Sequence, residues 1–196
     1  MRVIGGTARG TKLQSPKRTE VRPMLDRVKE ALFNILSDRM SGAEVLDLFS
    51  GTGSLGIEAL SRGAEHVVFV ERDRACVESI ERNLEHVRFV DRADVIRFDV
   101  PRSLGRIQRL GRAFDVGLID PPYRMTATAS AMQPLERMLE STAGQGLFLP
   151  NAVLVVHHGR RVFTILPELP FEICDERWYG TSGLAFLRYE GDSHGR

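Results

Sequence analysis

Apolar positions along this chain follow two different spacings, which together predict strands alternating with helices. Short segments rich in apolar residues, too short for stable helices, predict strands at residues 46–49, 66–70, 93–98, 114–119 and 152–156. Apolar residues three or four apart predict helices over residues 26–39 and 73–87, and a third helix with Met132, Leu135, Met138 and Leu139 on its buried face. This alternation predicts an α/β fold, in which a parallel sheet has right-handed crossovers and helices on both faces.

The last quarter of the chain has a different pattern. Residues 162–166, 171–176 and 183–189 are strand-like with no helix between them, so we expect antiparallel pairing at one edge of the sheet. We expect a basic N-terminal hairpin extension over residues 1–22, a main domain over residues 23–191 and a frayed tail over residues 192–196.

Residues 45–60, VLDLFSGTGSLGIEAL, join an apolar run to a helical pattern through a turn rich in glycine. Gly51, Gly53 and Gly56 let the turn tighten and let a ligand approach the main chain. A dinucleotide would place its pyrophosphate at the start of the following helix, and the carboxylate of Asp47 would repel that anion. Asp47 instead suits a cation, such as the amino group and sulfonium of S-adenosylmethionine.

The next strand ends in an acid, Glu71, at the position where doubly wound folds have the acidic residue that binds ribose hydroxyls. The alternative role for Glu71, capping the next helix, suits Asp73 better. Ligands of such folds gather beyond the carboxyl ends of the strands, which predicts one edge carrying Asp47, Glu71, Asp99 and Asp120.

A second motif, FDVGLIDPPY at residues 114–123, is a strand that stops in Asp120, Pro121, Pro122 and Tyr123. The prolines end the strand, so that nearby carbonyl oxygens face outward and can accept hydrogen bonds. Acceptors that hydrogen-bond the two hydrogens of a nucleobase amine would orient the lone pair of the amine nitrogen toward a methyl donor. Tyr123 would stack on the base. The competing interpretation is a rigid turn with an ordinary half-buried tyrosine.

Together these motifs resemble class I S-adenosylmethionine-dependent N-methyltransferases, which implies a mostly parallel, seven-stranded, Rossmann-like sheet. Further segments are similar to the bacterial 16S ribosomal RNA guanine-N2 methyltransferase D family; they lie at residues 2–6, 9–10, 12–13, 22–23, 26–34, 177, 179–180 and 184–189. The resemblance implies methylation of one guanine amine, that of guanine 966, in the small ribosomal subunit or its assembly intermediate. One departure is that Met24 and Leu25 stand where the family usually has threonines.

Roles for single residues follow from the chemistry of the motifs and from the resemblance. From the chemistry we expect Asp120 to hydrogen-bond the amine and then to take its proton, with Pro121, Pro122 and Tyr123 completing the catalytic set. The resemblance implies the role of Asp99. Asp99 contacts the adenine amino group, although a turn residue before Pro101 is an equal alternative for it. The expected cofactor contacts are Asp47, Phe49, Ser50, Gly51, Thr52, Gly53, Gly56, Glu71, Arg72, Asp99 and Val100.

Charge is distributed unevenly, although the 196 residues carry a net charge of only +1. The first thirty residues hold eight Lys or Arg against three acids. With apolar anchors at Val3 and Leu13, this segment suggests a hairpin that presents cations to RNA phosphates, rather than a free tail. The expected RNA contacts are Arg2, Arg9, Lys12, Lys17, Arg18 and Arg22. A second basic set, at residues 102, 106, 109 and 112, falls on one helical face and is interpreted as solvated surface.

Other classes of function are less consistent with the chain. Cys76 and Cys174 form no CxxC motif, and the adjacent His157 and His158 should point to opposite faces, so we expect no metal. The absence of a signal peptide or a long apolar stretch predicts a cytoplasmic protein. The alternatives are a DNA adenine-N6 methyltransferase, a protein glutamine methyltransferase, a nicotinamide-dependent oxidoreductase or a non-catalytic RNA-binding assembly factor.

Overall fold

A computed structural model of the chain describes residues 1–16, 24–126, 129–143, 146–159 and 169–191. It forms two compact units, Met1–Val100 and Pro101–Arg196. The helices are α1 (Asp26–Ile35), α2 (Ser37–Met40), α3 (Ser54–Ser61), α4 (Arg74–Val87), α5 (Leu104–Gln108) and α6 (Ala129–Ala143). The strands are β1 (Glu44–Leu48), β2 (His66–Glu71), β3 (Ala93–Arg97), β4 (Phe114–Ile119), β5 (Phe148–Gly159), β6 (Phe171–Tyr179) and β7 (Ser182–Tyr189).

The strands have the order β3-β2-β1-β4-β5-β7-β6 in a seven-stranded sheet. β1 pairs with β2, β2 with β3, and β4 with β5, all in parallel. β7 pairs antiparallel with both β5 and β6. The predicted α/β class and the antiparallel edge are therefore confirmed, while the expected strand over residues 162–166 lies outside the described residues. None of the helices among the described residues is long and apolar enough to cross a membrane.

The first unit is built on β1, β2 and β3, whose inner strands are rich in Val, Leu and Phe. Every residue of β2 up to Val70 is buried, as expected for a strand covered on both faces. Gly56 of α3 lies so close to this strand that a Cβ atom there would stand 2.2 Å from the Phe69 ring. Glycine is therefore required at this position for α3 to pack on β2.

The first predicted helix differs from the observed one. The expected helix over residues 26–39 stops at Ile35, and a separate short helix, α2, follows. The spacing of Val28, Leu32 and Ile35 predicts that all three are buried. Ile35 is instead 42% exposed, because the buried face is centred between Val28 and Phe33 and Ile35 lies about a quarter turn from that centre.

The second unit contains α6, and its four predicted core residues, Met132, Leu135, Met138 and Leu139, are all buried. The predicted helical face of arginines is wrong, because α5 has only five residues. Arg102 lies in a preceding 3₁₀ turn and Arg109 is the C-cap of α5, while Gly111 (φ 65°) redirects the chain before Arg112.

Candidate active site

The turn between β1 and α3, residues 49–53, adopts left-handed backbone conformations at three of its positions. Phe49 has φ 60°, Gly51 has φ 55° and Gly53 has φ 80°. The N–H of Gly53 donates to the carbonyl of Ser50 at 2.8 Å, which closes the turn. Glycine meets this backbone requirement without strain at two of the three positions. The predicted glycine turn is therefore a tight, locally closed loop at the start of a helix.

Asp47, near the end of β1, holds this turn to the helix. Its side chain is buried, and Oδ2 accepts a hydrogen bond from the N–H of Gly56 at 2.9 Å. A carboxylate that lies against the first turn of a helix is favoured by the helix dipole. Its expected contact with a cationic cofactor stays a prediction, and the structure gives Asp47 a second, structural role.

Ser50 joins the ends of β1 and β2. Its hydroxyl donates to the carbonyl of Asp47 at 2.6 Å and accepts from the N–H of Val70 at 3.0 Å. The side chain is buried. Ser50 therefore fixes the position of the turn relative to β2.

Glu71 is the residue that connects the turn to the end of β2. Its Oε2 accepts from the N–H of Gly51 at 2.9 Å, and its Oε1 accepts from the N–H groups of Arg72 and Asp73, both at 2.8 Å. The side chain of Asp73 accepts from the N–H of Cys76, so Asp73 caps α4 as the sequence predicted. Glu71 is thus held by three donors and remains partly exposed.

Arg72 and Asp99 lie next to this cluster at the ends of β2 and β3. Nη1 of Arg72 is 4.0 Å from Oδ1 of Asp99, and both side chains are exposed. The N–H of Phe98 donates to the carbonyl of Glu71, which ties the two strand ends together. The structure therefore brings Glu71, Arg72 and Asp99 together with the turn, within the first unit. The remaining predicted contacts, Thr52 and Val100, are buried.

The N-terminal segment forms a hairpin, as predicted, in which Arg2 and Lys12 face each other across an antiparallel bridge. It is fastened to α3 by Glu58, a fully buried carboxylate that accepts from the N–H groups of Ile4 at 2.7 Å and Gly5 at 2.8 Å. Arg2, Arg9 and Lys12 are exposed. Three further predicted RNA contacts, Lys17, Arg18 and Arg22, lie outside the described residues.

A cavity of about 220 Å³ lies beside this hairpin, and it is lined by Arg2, Val3, Ile4, Arg9, Gly10 and Glu30. Glu30 adds a carboxylate to the two arginines, so the cavity is not purely cationic. Lys12 is exposed and does not line the cavity to which Glu30 contributes, so it is better suited to a phosphate.

In the second unit, the predicted Asp-Pro-Pro-Tyr motif follows β4 directly. Oδ1 of Asp120 is 2.6 Å from Nδ1 of His157, and the two side chains are 27% and 22% exposed. Pro121 is buried. The carbonyl of Pro122, expected to be an outward acceptor, accepts from the N–H of Met125 at 2.7 Å within a 3₁₀ turn. The Tyr123 side chain lies outside what the structure describes, so its stacking role stays a prediction.

The two adjacent histidines contact different groups. His158 is buried, its ring lies edge-on to Trp178 at 5.1 Å, and Nε2 is 3.4 Å from Oε1 of Glu176. Burial lowers the pKa of His158, and a hydrogen bond to the carbonyl of Gly159 opposes that change. Within the described ranges, no three His, Cys, Asp or Glu side chains are grouped so that they could hold a metal ion.

Sequence reasoning missed three residues that support these sites: Glu58, Asn83 and His157. Asn83 is buried in α4, and its Nδ2 donates to the carbonyl of Thr52 at 3.1 Å. A signal existed for Asn83, because it lies between Ile80 and Leu84 on the apolar face of α4. A polar residue on such a face needs a partner.

Comparisons with known proteins agree with this architecture. The family model described as "Conserved hypothetical protein 95" matches residues 1–188. The ribosomal RNA small subunit methyltransferase D of Escherichia coli is 35% identical over 195 residues, which cover 100% of this chain and 92% of that protein.

Two solved structures are also similar. The structure of yhhF from Escherichia coli matches with a TM-score of 0.81 at 28% identity, covering 98% of this chain and 99% of that one. A Thermus thermophilus protein matches with a TM-score of 0.76 at 29% identity, covering 95% and 98% of the two chains. The family match and the full-length similarity have one consequence: the chain belongs to the ribosomal RNA small subunit methyltransferase D family.

Proposed function

We propose that this protein transfers a methyl group from S-adenosylmethionine to the exocyclic N2 amine of a guanine in 16S ribosomal RNA, guanine 966 in the family's numbering. The observation that carries the proposal is the partly exposed carboxylate of Asp120, held through one oxygen at the end of a buried strand. Family membership supports the choice of ribosomal RNA over DNA or protein.

The residues of the first unit fit the methyl donor. S-adenosylmethionine supplies a methyl group that its sulfonium has already activated. Two carboxylates lie beside the turn, Asp47 of β1 and Glu71 of β2, and they suit a cationic ligand better than the pyrophosphate of a dinucleotide. Gly51 and Gly53 have no side chains of their own that would stand between a ligand and the main chain of the turn. Arg72 and Asp99 extend the site along the strand ends.

Asp120 provides the chemistry on the acceptor. An exocyclic amine of guanine is a weak nucleophile because its lone pair is delocalised into the ring. A carboxylate that accepts one amine hydrogen turns the lone pair toward the methyl carbon and stabilises the positive charge that develops on nitrogen. As the new N–C bond forms and the S–C bond breaks, the amine nitrogen carries one surplus proton, which Asp120 receives. Tyr123 stacks on the guanine.

The anchored hairpin supplies contacts to the RNA backbone. Arg2, Arg9 and Lys12 are exposed on a segment held by buried hydrogen bonds, so little ordering is needed for them to meet phosphates. Arg2 also forms an ion pair with Asp26 at 3.1 Å, so Arg9 and Lys12 are the stronger candidates. Such contacts release counterions from the RNA, and each adds to the salt dependence of binding. Lys17, Arg18 and Arg22 extend the same charged segment in sequence.

The test uses purified 30S subunits, naked 16S RNA, DNA and a radiolabelled methyl donor, followed by mapping of the modified base. We expect label on N2 of one guanine, and we expect Asp120→Ala to abolish transfer while S-adenosylhomocysteine affinity stays within about tenfold. Glu140→Ala, which changes an exposed acid of the same unit, is the matched control and should be active. Ordinary activity of Asp120→Ala, or label only in DNA or protein, would overturn the proposal.

A further inference from the structure

His157 contacts the acid of the motif, Asp120. In the sheet, Ile119 at the end of β4 pairs with Val156 of β5. The next residues along the two parallel strands are Asp120 and His157, so the register itself places their side chains next to each other. Their atoms Oδ1 and Nδ1 are 2.6 Å apart.

The chemistry of the two groups fixes the direction of this hydrogen bond. An ionised carboxylate has only acceptor sites, whereas an imidazole can carry a proton on Nδ1. Nδ1 of His157 therefore donates to Oδ1 of Asp120. This contact prevents free rotation of the carboxylate and leaves Oδ2 for another donor.

His157 itself lies on a rigid element. β5 is paired with β4 on one side and with β7 on the other, where His157 faces Leu184 in the register. A side chain carried by a strand that is paired on both sides is held more precisely than one on a loop. Asp120, by contrast, lies just beyond the end of β4.

We propose that His157 is a positioning residue for methyl transfer: it orients the Asp120 carboxylate so that Oδ2 meets the amine of the base. This inference rests on the proposed function. In this role His157 does not contact the substrate. Removal of the His157 side chain should therefore slow the reaction with little effect on the binding of RNA or methyl donor.

The experiment compares His157→Ala and His157→Asn with the wild-type protein in the labelling assay, with kcat and KM measured for both substrates. We expect kcat of His157→Ala to fall by about tenfold to 100-fold, since misplacement of a reacting group by about 1 Å can cost that much. Both KM values should stay within about threefold. His157→Asn, whose amide N–H can take the place of the Nδ1 donor, should recover most of the lost kcat.

The matched control is His86→Ala, which removes an exposed histidine of α4 and should leave kcat unchanged. A thermal melt of each variant excludes loss of folding as the cause. Wild-type kcat in His157→Ala, equal losses in the Ala and Asn variants, or a raised KM at constant kcat would each overturn the inference while the proposed function stands. If the wild-type protein itself labels no ribosomal RNA, the proposed function fails, and the inference fails with it.

Discussion

Asn83 and Gln14 lie 69 positions apart and are joined by two hydrogen bonds: the N–H of Gln14 donates to Oδ1 of Asn83 at 2.7 Å, and Nδ2 of Asn83 donates to the carbonyl of Gln14 at 3.0 Å. The same Nδ2 donates to the carbonyl of Thr52 in the glycine turn. One buried amide therefore connects the N-terminal hairpin to the turn proposed to bind the cofactor.

Replacing Asn83 with alanine removes all three hydrogen bonds and leaves their main-chain partners without this amide. We expect a loss of about 2–4 kcal/mol in the free energy of unfolding, measured by urea denaturation. Because Thr52 lies in the turn, S-adenosylhomocysteine should also bind more weakly. The control is Glu81→Ala, an exposed change on the same helix, which should alter stability by less than about 0.5 kcal/mol. A stable Asn83→Ala with wild-type affinity would contradict the coupling.

The buried charges beneath the hairpin lead to a second prediction. Nζ of Lys29 is 3.5 Å from Oε2 of Glu58, and both side chains are buried. Burial lowers the pKa of Lys29, and the nearby Glu58 carboxylate opposes that change. Glu58→Gln keeps the side-chain size but leaves Lys29 without this buried counter-charge, so we expect a loss of about 3–5 kcal/mol in unfolding free energy.

A double variant separates the effect of charge from the effect of lost hydrogen bonds. Glu58 also pairs with Arg62 at 2.8 Å, so Glu58→Gln leaves two cations without this carboxylate. Adding Lys29→Met to Glu58→Gln removes the more deeply buried of the two and should restore part of the lost stability, as judged by thermal and urea unfolding. If the double variant is less stable than Glu58→Gln alone, the ion pair is not the source of the effect. The hydrogen bonds from Lys29 to the carbonyl of Arg2 and to Ser54 would then dominate.

Much of this arrangement could be predicted because strands leave a strong signal. The apolar runs placed Asp47 within the first strand, and Glu71 and Asp120 directly after theirs. In the structure Asp47 is the next-to-last residue of β1, Glu71 is the last residue of β2, and Asp120 follows β4. A run of buried residues bounded by glycine or proline has few other conformations that satisfy its main chain. The positions of the acids therefore followed from local sequence.

The residues that were missed depend on contacts between distant segments. His157 was seen as one of two adjacent histidines, and only the register of β5 against β4 decides which of them meets Asp120. Glu58 sits in an apolar helix, and its role follows from a hairpin more than fifty positions earlier. Hydrophobic spacing carries no information about such partners, because they are set by tertiary packing.

Leu25 shows how a departure from the family pattern affects stability. It is the N-cap residue of α1, it is 56% exposed, and its side chain makes no capping hydrogen bond. A hydroxyl at this position can accept from a free N–H of the first turn. We expect Leu25→Thr to raise the free energy of unfolding by about 1 kcal/mol, measured in urea. Leu25→Val, which has the same shape as threonine without the hydroxyl, should give no such gain, and equal effects of the two variants would rule out capping.

His158 predicts how the stability of the fold depends on pH. Because burial lowers the pKa of His158 below the ordinary 6.5, the unfolded chain binds this proton more readily than the folded one. Stability should therefore fall as pH drops from about 6.5 through the folded pKa, by at most about 1.4 kcal/mol per pH unit. His158→Phe retains a ring against Trp178 but cannot titrate. The difference in unfolding free energy between wild type and variant should decrease from pH 7.5 to pH 5.5, and a difference independent of pH would contradict this.

Glu71 allows the proposed cofactor site to be tested by a change of one atom. Its two oxygens accept from three main-chain N–H groups, at Gly51, Arg72 and Asp73. Glu71→Gln replaces one oxygen with a donor, so at least one of these groups meets an N–H instead of an acceptor. We expect S-adenosylhomocysteine affinity to fall at least about tenfold by calorimetry, together with a loss of about 1–3 kcal/mol in stability. Glu85→Gln, an exposed change on α4, is the control. An acid that binds ribose hydroxyls and also fixes the turn cannot lose a carboxylate oxygen without a loss of cofactor affinity. Unchanged affinity in Glu71→Gln would therefore show that cofactor binding does not depend on the end of β2.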